Sequence, residues 1–280
     1  MIATLPRLHA VTDDRVVGEG VARVTGRAAA MAAAAGPALA VHLRTRVLAG
    51  GAFLDLARRV QEAVAPHGSW LVVNDRADVA RAAGAQAVVT GRGGLAVRDV
   101  GRVAPGLPVG RSVHDAAAAR AAAAEGAGFL VAGAVFATPS HPGAPAGGAD
   151  LVRAAVRDGG GRQVVAIGGV TPALAPSIID AGAWGVAAIR ALWDAPDPAE
   201  AARAFLAALP ATRVVALVVN GESRAVAEGT TLAGLLDALG LDRRAVVVEH
   251  NRRIVRRDAL DGVRLAAGDA VELIHFVGGG

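Results

Sequence analysis

The 280-residue chain has no cysteine, no tyrosine and no lysine, and aromatic residues make up only 3% of it. Without cysteine there is no disulfide, no thiolate nucleophile and no cysteine-ligated metal, and the composition fits a reducing compartment. Without lysine no Schiff base can form on a substrate carbonyl, and no P-loop can exist. The scarcity of aromatics leaves few platforms on which nucleic-acid bases could stack. All the basic residues are therefore arginine, which keeps its proton at any ordinary pH, and the net charge is only +4. Arg252, Arg253, Arg256 and Arg257 form one local basic cluster with acidic neighbours, so nucleic acid is not an expected partner. The first seven residues lack the apolar run of a signal peptide, and no apolar stretch approaches the ~20 residues that span a bilayer. A soluble, cytoplasmic protein with no membrane contact is expected.

What the chain does contain is a recurring unit: a short apolar run followed by an alanine-rich, helix-like segment. The runs fall at 8–12, 39–44, 70–74, 87–90, 108–114, 128–133, 164–169 and 185–189. Continuous apolar runs of this length suit strands buried on both faces, as in a parallel sheet. Eight β–α repeats within about two hundred residues indicate a (β/α)8 barrel, with a doubly wound sheet as the competing architecture. Polar residues collect after several runs: Thr12 to Asp14, Arg44 and Arg46, Asn74, Asp75 and Arg76, Ser112 and His114, and Thr138 to His141. In a barrel these ends open on one face, where barrel active sites lie. Any one of them could also be an ordinary helix cap.

The repeat ends near Ala208, so residues 1–209 are expected to form the barrel and 210–213 a linker. Residues 214–280 follow another pattern. Val214–Val219 reads as a strand and Asn220-Gly221 as a hairpin turn, with a returning strand at Arg224–Val226. Thr230-Thr231 caps a helix carrying Leu232, Leu235, Leu236 and Leu239, and Gly240 stops it. Further strands are expected at 245–249, 254–255 and 271–277, which gives a small α+β, ubiquitin-like β-grasp outline. The chain then ends on Gly278, Gly279 and Gly280. Such a tail is either a frayed terminus or a thread without side chains that carries a carboxylate into a narrow enzyme channel.

Several stretches of 214–280 are shared with the ThiS family of sulfur carriers. They are Val219-Asn220-Gly221-Glu222, the Thr230-Thr231-Leu232 helix start, Val247 to Asn251, and the run from Gly268 to Gly280. This segment resembles that family throughout; the molybdopterin sulfur carrier is the nearest rival. The resemblance implies that a partner adenylating enzyme of the E1 type, using ATP, activates the Gly280 carboxylate. The carboxylate then becomes a thiocarboxylate that donates sulfur to thiazole synthase. No bound cofactor and no metal are implied.

Residues 8–209 resemble the thiamine phosphate synthase/TenI superfamily in Leu8 to Asp14, His42 to Arg46, Val73 to Asp78, Gly110 to His114, Gly133 to Thr138 and Ala166 to Pro172. The resemblance implies a thiazole phosphate ligand. Arg44, Arg46, Asn74, Asp75, Arg76, Ser112 and Thr138 would bind the substrate. Gly168, Gly169, Ala188 and Ile189 would bind the phosphate, unless the glycines merely shape turns. The synthase pattern of glutamine, arginine and lysine after strand two is replaced here by His42-Leu43-Arg44-Thr45-Arg46, and its lysine after strand six is missing. The acidic metal ligand expected after strand four is also absent from Thr90-Gly91-Arg92-Gly93-Gly94. These departures favour the TenI-type thiazole tautomerase, which needs one acid/base and no metal. Ala134 stands where that branch carries histidine, leaving His114 or His141 as the proton-transfer candidate, unless both are structural. The alternatives are a thiamine phosphate synthase homologue, or a docking module beside an active carrier. Thiazole synthase itself is excluded, because it requires a lysine. Self-association of the chain is left open.

Overall fold

The computed structural model describes residues 5–138, 146–210 and 214–275. They divide into two compact units, with a break after Pro210. Among them no helix is long and apolar enough to cross a membrane.

The first unit is a closed parallel barrel of eight strands: β1 Leu8–Val11, β2 Leu39–Leu43, β3 Trp70–Asn74, β4 Ala87–Thr90, β5 Val109–Val113, β6 Phe129–Ala132, β7 Gln163–Ile167 and β8 Gly185–Ala188. Closure is made by β8 on β1, with Leu8 opposite Val186 and Ala10 opposite Ala188. The expected run at 164–169 is shorter as a strand, because Gly168 and Gly169 turn away at φ +107° and +64°. Alternation of side chains makes two layers. Leu8, Ala10, Val41, Leu43, Val73, Val88 and Leu130 pack outward against the helices, each buried aliphatic side chain contributing about 1.5–3 kcal/mol. Val11, His42, Asn74, Val89, Ser112 and Val131 look instead into the cavity at the carboxyl ends. Three of the helices around the sheet begin on aspartate caps. Asp13, Asp115 and Asp197 accept from the backbone N–H groups of Val16, Ala118 and Ala199 at 2.9, 2.7 and 2.8 Å.

Two histidines occupy the barrel interior, where apolar residues are the rule. His9 and His42 are buried, with His9 Nδ1 2.7 Å from His42 Nε2 and their rings in an edge-to-face arrangement. His9 Nε2 lies 2.9 Å from the carbonyl oxygen of Pro6. A carbonyl only accepts, so His9 carries its proton on Nε2; its Nδ1 then accepts from His42 Nε2–H. Beside them the ring of Phe129 fills the space opposite Gly110, where a Cβ would lie 2.4 Å from that ring.

The second unit is a five-stranded mixed sheet in the order β10-β9-β13-β11-β12, with β9 Val214–Val219, β10 Glu222–Ala227, β11 Val246–His250, β12 Arg253–Val255 and β13 Ala270–His275. β13 runs parallel to β9 and antiparallel to β11. One sheet face packs Leu217, Val219, Val248, Val271 and Leu273 on Leu232, Leu235 and Leu236 of the helix Leu232–Ala238. Thr231 alone caps that helix, accepting from Gly234 N–H, while Thr230 donates to Ala227 O. Asn220, at the turn after β9, accepts from Leu273 N–H at 2.7 Å through its side chain and so prolongs the pairing along β13. The last described residue of that strand is His275, and the expected extension to Val277 lies outside the described residues.

The buried histidine pair has a pH signature. Burial, opposed by the hydrogen bond to Pro6, lowers His9 to about 4, and burial with the neighbouring His9 takes His42 well below 6.5. Between pH 6.5 and 4 the unfolded chain binds protons that the folded barrel refuses, so stability falls as pH drops through that window. His9 alone contributes on the order of 3 kcal/mol to the fall. Trp70, Trp184 and Trp193 all lie in the barrel, so tryptophan fluorescence during urea unfolding reports this unit. The double variant His9→Leu/His42→Leu is expected to flatten the slope; an unchanged slope would refute the assignment.

Candidate functional site

The carboxyl ends of the barrel strands enclose a cavity of about 1290 Å³. Its wall includes Arg44, Arg46, Asn74, Asp75, Ser112, His114, Thr138, Gly168, Gly169, Ala188 and Ile189, together with His42, Arg92 and Arg190. Sequence reasoning gave the last three no role. Arg92 and Arg190 could have been found as cations directly after strands four and eight. The partnership of His42 with His9 had no signal, because the two stand 33 positions apart.

Arg76 does not join the cavity wall. Its guanidinium pairs in bidentate fashion with Asp78, at 2.8 and 2.6 Å, which holds that carboxyl below its usual range. The expectation that Arg76 binds substrate is corrected on this ground. His141 and the tail glycines Gly278, Gly279 and Gly280 lie outside the described residues.

The glycines after β7 are demanded by the chain path. A Cβ on Gly168 would lie 2.8 Å from the Cα and Cβ of Ala134, and one on Gly169 would lie 2.6 Å from the carbonyl oxygen of Ala137. Both residues also have positive φ, where side chains are strained. Turn-shaping is therefore real, and the same turn exposes hydrogen-bond donors. Among the described residues the N–H groups of Gly168, Gly169 and Ile189 have no partner, and all three residues line the cavity. Backbone donors gathered in this way suit an anion such as a phosphate.

At the floor, the buried Asn74 side chain interacts with His42, and its Oδ1 makes no closer hydrogen bond among the described residues, which leaves acceptor capacity at the cavity. At the rim, His114 Nδ1 hydrogen-bonds the carbonyl oxygen of Gly133. The carbonyl must accept, so the proton sits on Nδ1 and the lone pair of Nε2 is the free basic position. Ala134 lines the cavity but has no group that can move a proton.

The loops bearing the arginines are fastened by carboxylates. Asp14 Oδ1 accepts from Arg46 N–H at 2.6 Å and from the Thr45 hydroxyl at 3.0 Å; the first of these bonds most strongly holds its carboxyl below the usual range. Thr12 Oγ1 accepts from Arg44 N–H at 2.9 Å and donates to Arg44 O at 3.0 Å. One sheet position further, Asp75, in left-handed conformation at φ +61°, accepts from Gly91 N–H at 2.8 Å. A Cβ on Gly94 would lie 2.4 Å from that aspartate oxygen, so the Gly91–Gly94 loop closes directly over it. Asp75 is the one carboxylate among the cavity residues, and no group of three or more acidic or histidine side chains among the described residues could hold a metal. A half-engaged single carboxylate among four guanidinium groups does not fit a resident divalent cation.

Comparison with known proteins agrees with this geometry. Residues 8–192 match the thiamine monophosphate synthase (TMP-TENI) family and residues 196–280 the ThiS family. The thiamine-phosphate synthase of Methanoculleus marisnigri is 40% identical over 203 residues, covering 71% of this chain and 92% of its own. That of Mycolicibacterium vanbaalenii is 37% identical over 158 residues, covering 56% of this chain and 72% of its own. The bifunctional protein ThiM/ThiE of Symbiobacterium thermophilum is 44% identical over 169 residues, but this chain spans only 35% of its length. Among solved structures, thiamine phosphate pyrophosphorylase of Pyrococcus furiosus covers 72% of this chain and 94% of its own at 28% identity and a TM-score of 0.63. These relatives favour the synthase alternative over the tautomerase that the lysine losses had pointed to. The chain belongs to the thiamine monophosphate synthase/TenI family, and joins to that barrel a carboxyl-terminal domain of the ThiS family.

Proposed function

We propose that the chain serves thiamine biosynthesis at two points, with a barrel that acts on a phosphorylated thiazole and a domain that carries sulfur for the same ring. For the barrel the first reading is condensation with a pyrimidine diphosphate. The thiazole nitrogen forms a bond to the pyrimidine methylene carbon as the carbon–oxygen bond to diphosphate breaks, and pyrophosphate leaves with the electron pair. The observation that carries this reading is the cavity. Its 1290 Å³ exceeds the roughly 300–1000 Å³ of an ordinary small-ligand site, and two kinds of anion-binding group line it. Backbone donors at Gly168, Gly169 and Ile189 suit the thiazole phosphate, and Arg44, Arg46, Arg92 and Arg190 suit a diphosphate. Asn74, in the same wall, supplies a polar side chain for an amino or hydroxyl group. The activity named for the relatives supports the same reading.

One observation favours a second reading, a proton shift between thiazole tautomers. The bond from His114 Nδ1–H to Gly133 O leaves Nε2 free to take a proton from one ring carbon and return it elsewhere. This chemistry needs one substrate, one base and no diphosphate.

For the carrier domain, the match to the ThiS family supports activation of the Gly280 carboxylate. In this reading ATP and an E1-like partner convert the carboxylate to an acyl adenylate, and a sulfur donor displaces AMP to leave a thiocarboxylate. Thiazole synthase would be the acceptor. A carboxylate is a poor electrophile until its oxygen becomes a leaving group, which is the reason for the adenylation step.

The barrel readings separate in one assay. The chain is incubated with thiazole phosphate and pyrimidine diphosphate, and in parallel with the dihydrothiazole tautomer. Thiamine phosphate with equimolar pyrophosphate is expected from the first mixture. Turnover of the tautomer alone, abolished by His114→Ala, would move the assignment to the second reading, and turnover in neither would leave a docking module. Gly168→Ala is expected to cost on the order of 1–3 kcal/mol of barrel stability and to raise KM for thiazole phosphate, checked by urea unfolding and steady-state kinetics. Intact-mass measurement after incubation with ATP, a sulfur donor and the adenylating enzyme should show an oxygen-to-sulfur exchange on the carboxyl-terminal peptide; its absence would remove the carrier role.

A further inference from the structure

The mouth of the barrel uses its charges in an unequal way. Arg44, Arg46, Arg92 and Arg190 line the cavity, and none of them makes a salt bridge among the described residues. Elsewhere some guanidiniums are matched, as in Arg76–Asp78, Arg120–Asp158 and Arg243–Asp237, while others, such as Arg58, Arg59 and Arg98, make no salt bridge among the described residues; what sets the mouth apart is that four such cations line one cavity. The nearby carboxylates are turned to backbone instead. Asp14 takes Arg46 N–H and Asp75 takes Gly91 N–H. Each aspartate thus holds the loop after a neighbouring strand by its main chain; Asp14 attracts Arg44 and Arg46 through space but makes no salt bridge with them.

Unpaired cations beside one another repel, at a cost that solvent reduces but does not remove. A fold that keeps four of them on one cavity, with the single carboxylate of that cavity, Asp75, bonded to backbone, is organised for a multivalent anion. Guanidinium groups hold their charge at every pH and grip phosphate oxygens in pairs, which makes them competent to neutralise a diphosphate without a metal bridge.

We propose that this mouth binds diphosphate through Arg44, Arg46, Arg92 and Arg190 in place of a divalent cation, with Asp14 and Asp75 as positioning residues that hold the arginine-bearing loops. The proposal rests on the reading of the barrel as a diphosphate-handling enzyme and adds the means by which the leaving group is neutralised. Asp75 is the decisive residue, since a lone cavity carboxylate could otherwise be taken for a metal ligand. Its geometry suits a clasp: one oxygen holds Gly91 N–H, and the loop glycine Gly94 leaves no room for a side chain over that oxygen.

The test is titration calorimetry of the full chain with inorganic pyrophosphate, in EDTA and in Mg²⁺. Binding is expected in EDTA, with an affinity within about threefold of that in Mg²⁺. Arg92→Ala and Arg46→Ala are each expected to weaken it about tenfold or more, the loss of a charge-assisted contact. Both residues are exposed, so folding should be unaffected, and barrel tryptophan fluorescence checks that it is. Asp75→Ala is expected to weaken pyrophosphate binding by freeing the Arg92 loop, and Asp75→Asn to restore it, because asparagine keeps an acceptor for Gly91 N–H. Binding that requires Mg²⁺, binding indifferent to both arginine variants, or failure of Asp75→Asn to rescue would each overturn the proposal. Metal-free pyrophosphate binding without condensation activity would sink the synthase reading and leave this proposal standing.

Discussion

Closure of the parallel sheet, by β8 pairing with β1, is the constraint on which the rest of the barrel depends. In an open sheet the carboxyl ends of eight strands would lie along a line. Closed, they ring a single opening, so residues from positions 44 to 190 face one another across one cavity. The requirement reaches into the interior. Small residues must alternate with large ones to fill a closed sheet, and Gly110 gives way to the ring of Phe129. Two of the inward positions carry histidine, and there His9 and His42 satisfy each other and the Pro6 carbonyl rather than remain as unpaired buried groups.

Above that interior the site is built from main-chain geometry as much as from side chains. Gly168 and Gly169 adopt backbone conformations that side chains rarely take, pack against the residues after β6, and keep N–H groups without a partner among the described residues at the cavity wall. Asp14 and Asp75 spend their charge on N–H groups of adjacent loops, and the cations on those loops stay available. The common principle is that an anion site needs donors held in place before the ligand arrives, because ordering them afterwards would consume the binding energy.

The second unit uses a different device for a different purpose. Its last described strand, β13, lies between β9 and β11. Where β9 ends, the Asn220 side chain continues the pairing at Leu273. β13 is held on both sides as far as Leu273, and beyond it Ile274 and His275 pair with β11 alone. Under the proposed function, a carrier placed in one chain with a thiazole-phosphate barrel would join an early and a late requirement of the same ring.

The positions of the elements were legible from local pattern. Buried parallel strands are continuous apolar runs, so all eight could be placed, as could the helix on Leu232, Leu235 and Leu236 and the turn at Asn220-Gly221. The polar residues at strand ends were also legible, since a closed barrel leaves them one common destination. Which of them face the cavity was not. Arg76 and Asp75 are adjacent in sequence, yet one turns to Asp78 and the other to Gly91, a choice made by side-chain geometry in the folded state. The pairing of His9 with His42 and the gathering of Arg92 and Arg190 with Arg44 depend on contacts between strands far apart along the chain. The absence of lysine weighed against a synthase on residue identity alone, whereas the folded mouth gathers four arginines along one cavity. Composition and periodicity by themselves determined the two domains, their folds and the chemistry that is out of reach, because those follow from local burial. The direction of each charge was decided only by the tertiary structure, because a charged side chain is placed by its nearest partners in space.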